Sequence, residues 1–385
     1  MIIDFARFPF FVGMREPGDA NGLPSHLPLG LRIDPRTAVP RLALSPEIED
    51  ALDKAYGRGS LLSTPLGVGP LAEARLHDVL SGLLDAFEAD VAGKRFLEIG
   101  CGYGHLLNEL QERGATVAGC EIGPQGVEAK KQFGFPVVSE PLRPGLFDQP
   151  FDCIYSYGAL EHITDLTGFL AAGRSCLKDG GLFFHSVPNM DTAYAALRFE
   201  ELSHEHVSYF TAENGVRLFE AQGFRGAIAA PTVAGNELHL WGRLDNTAKP
   251  VWPGETASVV AGEAARLSAF VEACRIRLER QIITLKAMLA EGQRIGFYAG
   301  GHSLGSNFID SENIRYYDGD AAKHGKCWLA GLPAVRDPMS LRDDPVDTLI
   351  VCREHYFEPI RQYLRTTVQL PAATRLIKLS ELSPL

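Results

Sequence analysis

An α/β fold, with a doubly wound, mostly parallel sheet and a second, smaller α/β domain after a long helix, is what the sequence predicts. Three observations carry this. Short apolar runs alternate with helical segments from residue 95 to 187, glycines crowd the first strand–helix junction, and a second alternating region starts near residue 294.

Residues 1–70 are rich in Pro and Gly and weakly periodic, which predicts an arm packed on the main body. Apolar residues at helical spacing (Leu76, Val79, Leu80, Leu83, Leu84, Phe87) predict an amphipathic helix over 71–87. Strands are expected at 95–99, 115–121, 136–138, 151–155 and 181–187, with helices at 105–113 and 125–133 between the first of them. A Pro-free segment, 256–291, carries Leu267, Phe270, Val271, Cys274, Leu278, Ile282, Leu285 and Leu289 at helical spacing and predicts one long or kinked helix. Beyond it, 294–299, 314–318 and 347–352 read as strands of the smaller domain. The expected division is an arm (1–70), a main domain (71–245), a helical linker (246–293) and a C-terminal domain (294–385).

Acidic residues outnumber basic ones, 48 to 37, a net charge of −11 that disfavours broad binding to nucleic-acid backbones. No apolar run approaches the 18 or so residues needed to cross a bilayer, and the first residues lack the pattern of a signal peptide. The seven cysteines are scattered and never spaced CxxC, which fits a reducing compartment and predicts a cytoplasmic protein.

The richest motif is Glu98-Ile99-Gly100-Cys101-Gly102-Tyr103-Gly104. Glycines at such a junction let the backbone turn sharply and let a ligand lie against main-chain N–H groups. Glu121 ends the next strand, where an acid can accept two hydrogen bonds from a ribose diol. A dinucleotide fingerprint, and with it an NAD(P)-dependent oxidoreductase or epimerase, is the rival reading; it requires a third glycine where this chain has His105.

A GxGxG turn with an acid two residues before its first glycine resembles motif I of the class I S-adenosylmethionine-dependent methyltransferases, over roughly residues 93–226. The resemblance implies S-adenosylmethionine as cofactor and a site made of Glu98, Gly100, Gly102, Gly104, Glu121, Ile122, Glu140, Tyr157 and His162.

Residues 203–210 place two imidazoles, a carboxylate and a phenol just beyond the fifth strand. A neutral imidazole is available as a base near neutral pH, and a carboxylate can orient it. His204-Glu205-His206 followed by Ser208-Tyr209-Phe210 is similar to the signature of sugar C-methyltransferases of deoxysugar biosynthesis. The domain order and the turn Gly300-Gly301-His302-Ser303 extend the likeness. It implies carbon methylation beside the keto group of a nucleotide-activated sugar, without a metal. His206 would be the base, supported by Glu205 and His204, and Tyr209, Asn236, Gly301, His302 and Ser303 would contact substrate. That family's cysteine-based zinc module has no counterpart before Cys101, and Ser203 stands where the family has a tyrosine, so O- or N-methylation of a sugar or natural-product intermediate stays open.

Overall fold

The computed structural model describes residues 3–17, 23–57, 70–232, 235–250, 257–308 and 311–382. Two compact units make up the chain: residues 1–6 with 28–269, and residues 7–27 with 270–385.

The amino-terminal segment is more ordered than its weak periodicity predicts. It forms β1 (Ile3–Pro9), β2 (His26–Ile33) and β3 (Pro40–Leu42), which make a small sheet, and then α1 (Pro46–Gly57). Residues 58–69 of the expected arm lie outside the described residues.

The main sheet follows α2 (Pro70–Ala86). Its elements are β4 (Arg95–Ile99), α3 (His105–Glu112), β5 (Thr116–Cys120), α4 (Gln125–Phe133), β6 (Val137–Val138), β7 (Phe151–Tyr157), α5 (Leu166–Cys176), β8 (Leu177–Pro188), α6 (Met190–Ala196), α7 (Ala212–Ala221), β9 (Phe224–Pro231) and β10 (Glu237–Leu244). The strand order is β6-β5-β4-β7-β8-β10-β9; β4 through β8 run parallel, and β10 is antiparallel to both β8 and β9.

These strands are apolar on both faces because helices cover both. Phe96, Tyr155, Leu182 and Phe184 join one apolar layer with Leu76, Val79, Leu80 and Leu83 of α2 and Leu106, Leu107 and Leu110 of α3. Their neighbours in the strands, Leu97, Ile154 and Phe183, join the opposite layer with Phe169 and Leu170 of α5 and Leu218 and Phe219 of α7. Two expectations need adjusting. The strand expected at 181–187 is longer: β8 starts at Leu177 and absorbs Gly180 (φ +74°) through a register shift against β7. β9 was not expected; it is mostly exposed and poor in strong strand formers.

His185, in β8, is fully buried against Phe183 (centroids 4.2 Å apart), with the Ser156 hydroxyl 2.6 Å from its Nδ1. Burial pushes its imidazolium pKa down to about 3. The unfolded chain therefore takes a proton on this ring below about pH 6.5 that the folded chain refuses. Its contribution to stability is complete above that pH and is lost as pH falls toward 3. Unfolding free energies from urea titrations between pH 6.5 and 4 should fall in the wild type relative to His185→Gln by about 1.4 kcal/mol per pH unit, the part that belongs to this group. A difference between the two proteins that does not change with pH would remove His185 as a source of pH dependence.

The long segment 256–291 is the single helix α8 (Ala257–Ala290). In the second unit, β11 (Ile295–Tyr298), α9 (His302–Gly305), β12 (Ile314–Tyr317), β13 (Val335–Arg336), β14 (Thr348–Val351), α10 (Phe357–Thr366) and β15 (Arg375–Lys378) build a parallel sheet of order β13-β12-β11-β14-β15. Residues 7–27 cluster with this unit, where Arg15 and Cys327 exchange backbone hydrogen bonds of 2.8 and 2.7 Å. Among the described residues no helix is long and apolar enough to cross a membrane.

Candidate functional site

Strand order in the main sheet reverses at β4, which lies between β5 and β7. In open α/β sheets the crevice beyond the carboxyl ends of the strands at such a point is where ligands bind. The glycine turn sits there. Gly100, Gly102 and Gly104 have φ of +70°, +52° and +76°. At Gly104 a Cβ would also come within 2.6 Å of the Phe135 ring, so the position excludes any side chain twice over.

Glu121 ties this turn to the end of β5. Its Oε2 accepts from the Gly102 N–H (2.9 Å) and its Oε1 from the Gly123 N–H (2.7 Å). Beneath lies Glu98, buried and accepting from the Tyr155 hydroxyl (3.1 Å); burial holds its carboxyl well above the usual range. Ile122 is 53% exposed beside the turn, unusual for a large apolar side chain. Glu140 forms an exposed pair with Arg143 (3.1 Å). Tyr157 donates to Glu237 (2.9 Å), whose other oxygen accepts from Ser186 (3.3 Å), so a polar bridge joins β7, β8 and β10. Asn236 contributes its carbonyl to the Asn189 N–H (2.9 Å).

A second cluster follows β7. The turn of 3-10 helix Leu160–His162 offers the Glu161 carbonyl to the N–H groups of Val207 (2.8 Å) and Ser208 (2.9 Å). On its other side the histidine-bearing loop is held by β3: Leu42 N–H donates to the Val207 carbonyl, and Tyr209 N–H to that of Pro40. The rings of His162 and His206 are thereby brought to 5.3 Å between centroids. His162 Nδ1 donates to the Glu205 carbonyl (2.8 Å), with the Tyr56 hydroxyl of α1 3.1 Å away. His206 Nδ1 donates to the Glu201 carbonyl (2.9 Å). Each bond puts the ring proton on Nδ1 and leaves the lone pair on Nε2.

The carboxyls of Glu161 and Glu205 are both buried, which pushes each up to about 8. Burial, then the neighbouring His206, lowers His162 to about 3. His162 Nε2 lies 3.8 Å from Glu161 Oε1.

Three expected roles change. His204 is fully buried, with Nε2 on the Pro28 carbonyl (3.1 Å); it anchors the amino-terminal segment rather than supporting His206. The Tyr209 hydroxyl is spent on the backbone of Ser203, donating to its carbonyl (3.0 Å) and receiving its N–H (3.3 Å), so it closes the loop instead of facing a substrate. Orientation of His206 comes from the Glu201 carbonyl, while the Glu205 carboxyl lies in the field of Glu161. In the second unit, Gly301 (φ +81°) has no room for a Cβ, which would meet the Phe297 ring at 2.5 Å. The Ser303 carbonyl accepts from Ser306 Oγ (2.8 Å), and the His302 side chain lies outside the described residues.

Glu161, Tyr56 and Glu237 were not among the expected site residues. Glu161 sits beside His162 in sequence, yet its burial under the histidine loop is a tertiary fact with no local signature.

A crossover sheet with a glycine turn, a strand-end acid and titratable groups at its carboxyl edge defines the architecture of a nucleoside-binding α/β domain. Residues 71–227 match the family model described as a methyltransferase domain. Curated relatives include a ubiquinone biosynthesis O-methyltransferase from Xanthomonas oryzae pv. oryzae (32% identical over 132 residues, 32% of this chain and 55% of the relative) and one from Idiomarina loihiensis (27% over 123 residues; 30% and 51%). The chain spans about half the length of the curated relatives it matches. Solved structures with a similar fold include magnesium protoporphyrin IX methyltransferase from Synechocystis PCC 6803 with bound SAH (14% identical, 48% of this chain and 91% of that one, TM-score 0.38). Another is the N-methyltransferase NodS from Bradyrhizobium japonicum WM9 (17%, 47% and 100%, TM-score 0.36).

Proposed function

We propose that the chain transfers a methyl group from S-adenosylmethionine to a small-molecule acceptor, a nucleotide-activated keto sugar, in the cytoplasm. The observation that carries the donor half is the Glu121 carboxylate held against the Gly100–Gly104 turn at the sheet's crossover, with the chain's methyltransferase-domain match over the same residues. The fit is chemical: the turn presents backbone beside an acid able to accept from a ribose diol, and Ile122 offers an exposed apolar face for a purine. Glu98, Glu140, Tyr157 and His162 complete the proposed donor site. When bound, the donor supplies an electrophilic sulfonium methyl.

His206 is the proposed base. Its Nε2 takes the proton from the carbon beside the acceptor's ketone, while Nδ1 keeps its bond to the Glu201 carbonyl and fixes the ring. Asn236, Gly301, His302 and Ser303 remain the proposed substrate side, within a division of arm (1–70), donor domain (71–245), linker (246–293) and substrate domain (294–385). The names of the curated relatives and the absence of a phenol at Ser203 favour a second reading, methylation of a hydroxyl oxygen.

Incubation with isotopically methyl-labelled donor and a panel of nucleotide sugars, with the methyl located by NMR, tests both. Label on carbon supports the first reading and label on oxygen the second. No transfer together with no calorimetric binding of S-adenosylhomocysteine would overturn the donor assignment itself.

A further inference from the structure

Glu161, His162 and His206 do more than crowd a base. Among the described residues, one ligand atom from each lies within 4.8 Å of the other two. Both imidazoles donate Nδ1–H to a backbone carbonyl, that of Glu205 for His162 and that of Glu201 for His206. This is the outer-shell arrangement that fixes a metal-binding histidine's tautomer and aims its other nitrogen. The third group is a carboxylate 3% exposed, whose Oε2 has no hydrogen-bond partner among the described residues. A second buried carboxyl, Glu205, stands in its field with its own Oε2 equally unsatisfied. A buried carboxyl with an unsatisfied oxygen either keeps its proton or gives it up to a cation that takes its place.

We propose that Glu161, His162 and His206 form a binding site for a divalent transition-metal cation, open on one side to an oxygen of the methyl acceptor. Two nitrogens and one carboxylate suit manganese, iron, cobalt or zinc better than magnesium or calcium. Metal–ligand bonds of about 2.1 Å set donor atoms roughly 3–3.5 Å apart. The carboxylate stands 3.8 Å from His162 Nε2, so closure asks for a shift of well under an ångström there. Three protein ligands leave coordination positions for a keto or hydroxyl oxygen, which selects acceptors carrying one beside the methylated atom. The site binds metal whether or not the donor assignment holds; its catalytic meaning rests on that assignment. Coordination uses the same His206 lone pair as proton abstraction, so the loaded enzyme and the metal-free enzyme part company at this atom.

The test is titration of the chelator-treated protein with Mn2+, followed by electron paramagnetic resonance, and with Co2+, followed by visible absorption, which separates nitrogen–oxygen ligation from thiolate ligation. One Mn2+ per chain is expected, at least about tenfold weaker in Glu161→Gln, since even an outer-shell partner commands that much. Circular dichroism and S-adenosylhomocysteine calorimetry on the same variant report its folding and the donor site separately. No binding, thiolate ligation of Co2+, or Mn2+ affinity indifferent to Glu161→Gln would overturn the proposal. Mn2+ binding without S-adenosylhomocysteine binding would uphold it while the donor reading fails.

Discussion

His206→Ala should lose turnover by about 10²–10⁴-fold, the range a positioned acid–base group commands, while retaining affinity for S-adenosylhomocysteine. The separation is built into the structure. His206 sits on the loop between α6 and α7, oriented by the Glu201 carbonyl and in ring contact with His162, whereas the proposed donor contacts lie on the glycine turn and Glu121. A second readout isolates the proton step. With a keto-sugar acceptor in D2O, deuterium should enter the carbon beside the ketone in the wild type and stay out in the variant. Undiminished exchange in His206→Ala would place the base elsewhere, and undiminished turnover would end its catalytic role.

Glu121→Ala should weaken S-adenosylhomocysteine binding about 100-fold. The carboxylate already holds two backbone N–H groups, at Gly102 and Gly123, and in the proposed complex it faces the ribose hydroxyls as well. Hydrogen bonds to a charged group contribute about 1.5–3 kcal/mol each, and two of them lost corresponds to at least that factor. Calorimetry measures it directly. Affinity within threefold of wild type would mean that the nucleoside is held elsewhere.

Features that rest on local backbone chemistry were legible in the chain. The Gly100–Gly104 turn, the acid ending β5 and the alternation of β4 through β8 each depend on residues close in sequence, and the strands and helices fall within a few residues of their expected places. What escaped depends on pairing over distance. β2 and β3 carry Pro28 and Pro40, which mask a strand pattern, yet Leu31 pairs with Leu42 and Ile33 with Pro40. Tyr56 reaches His162 across 106 positions, and Glu161 becomes a site residue only because Val207 and Ser208 fold over it. The motif around His204–His206 was conspicuous, but residue type alone did not separate its roles. One imidazole anchors the amino-terminal segment, the next carboxyl is buried beside a second acid, and the second imidazole is oriented by the Glu201 carbonyl.

The three residues of β3 alter what counts as the smallest working enzyme. Pro40 and Leu42 clasp the loop that carries His206, and α1 delivers Tyr56 to His162, so the proposed reaction centre borrows from a stretch upstream of the matched domain. An excised fragment starting at residue 71 would keep the glycine turn and the sheet but lose this clasp. On the proposed assignment, such a fragment is expected to hold the methyl donor with the histidine loop unmoored.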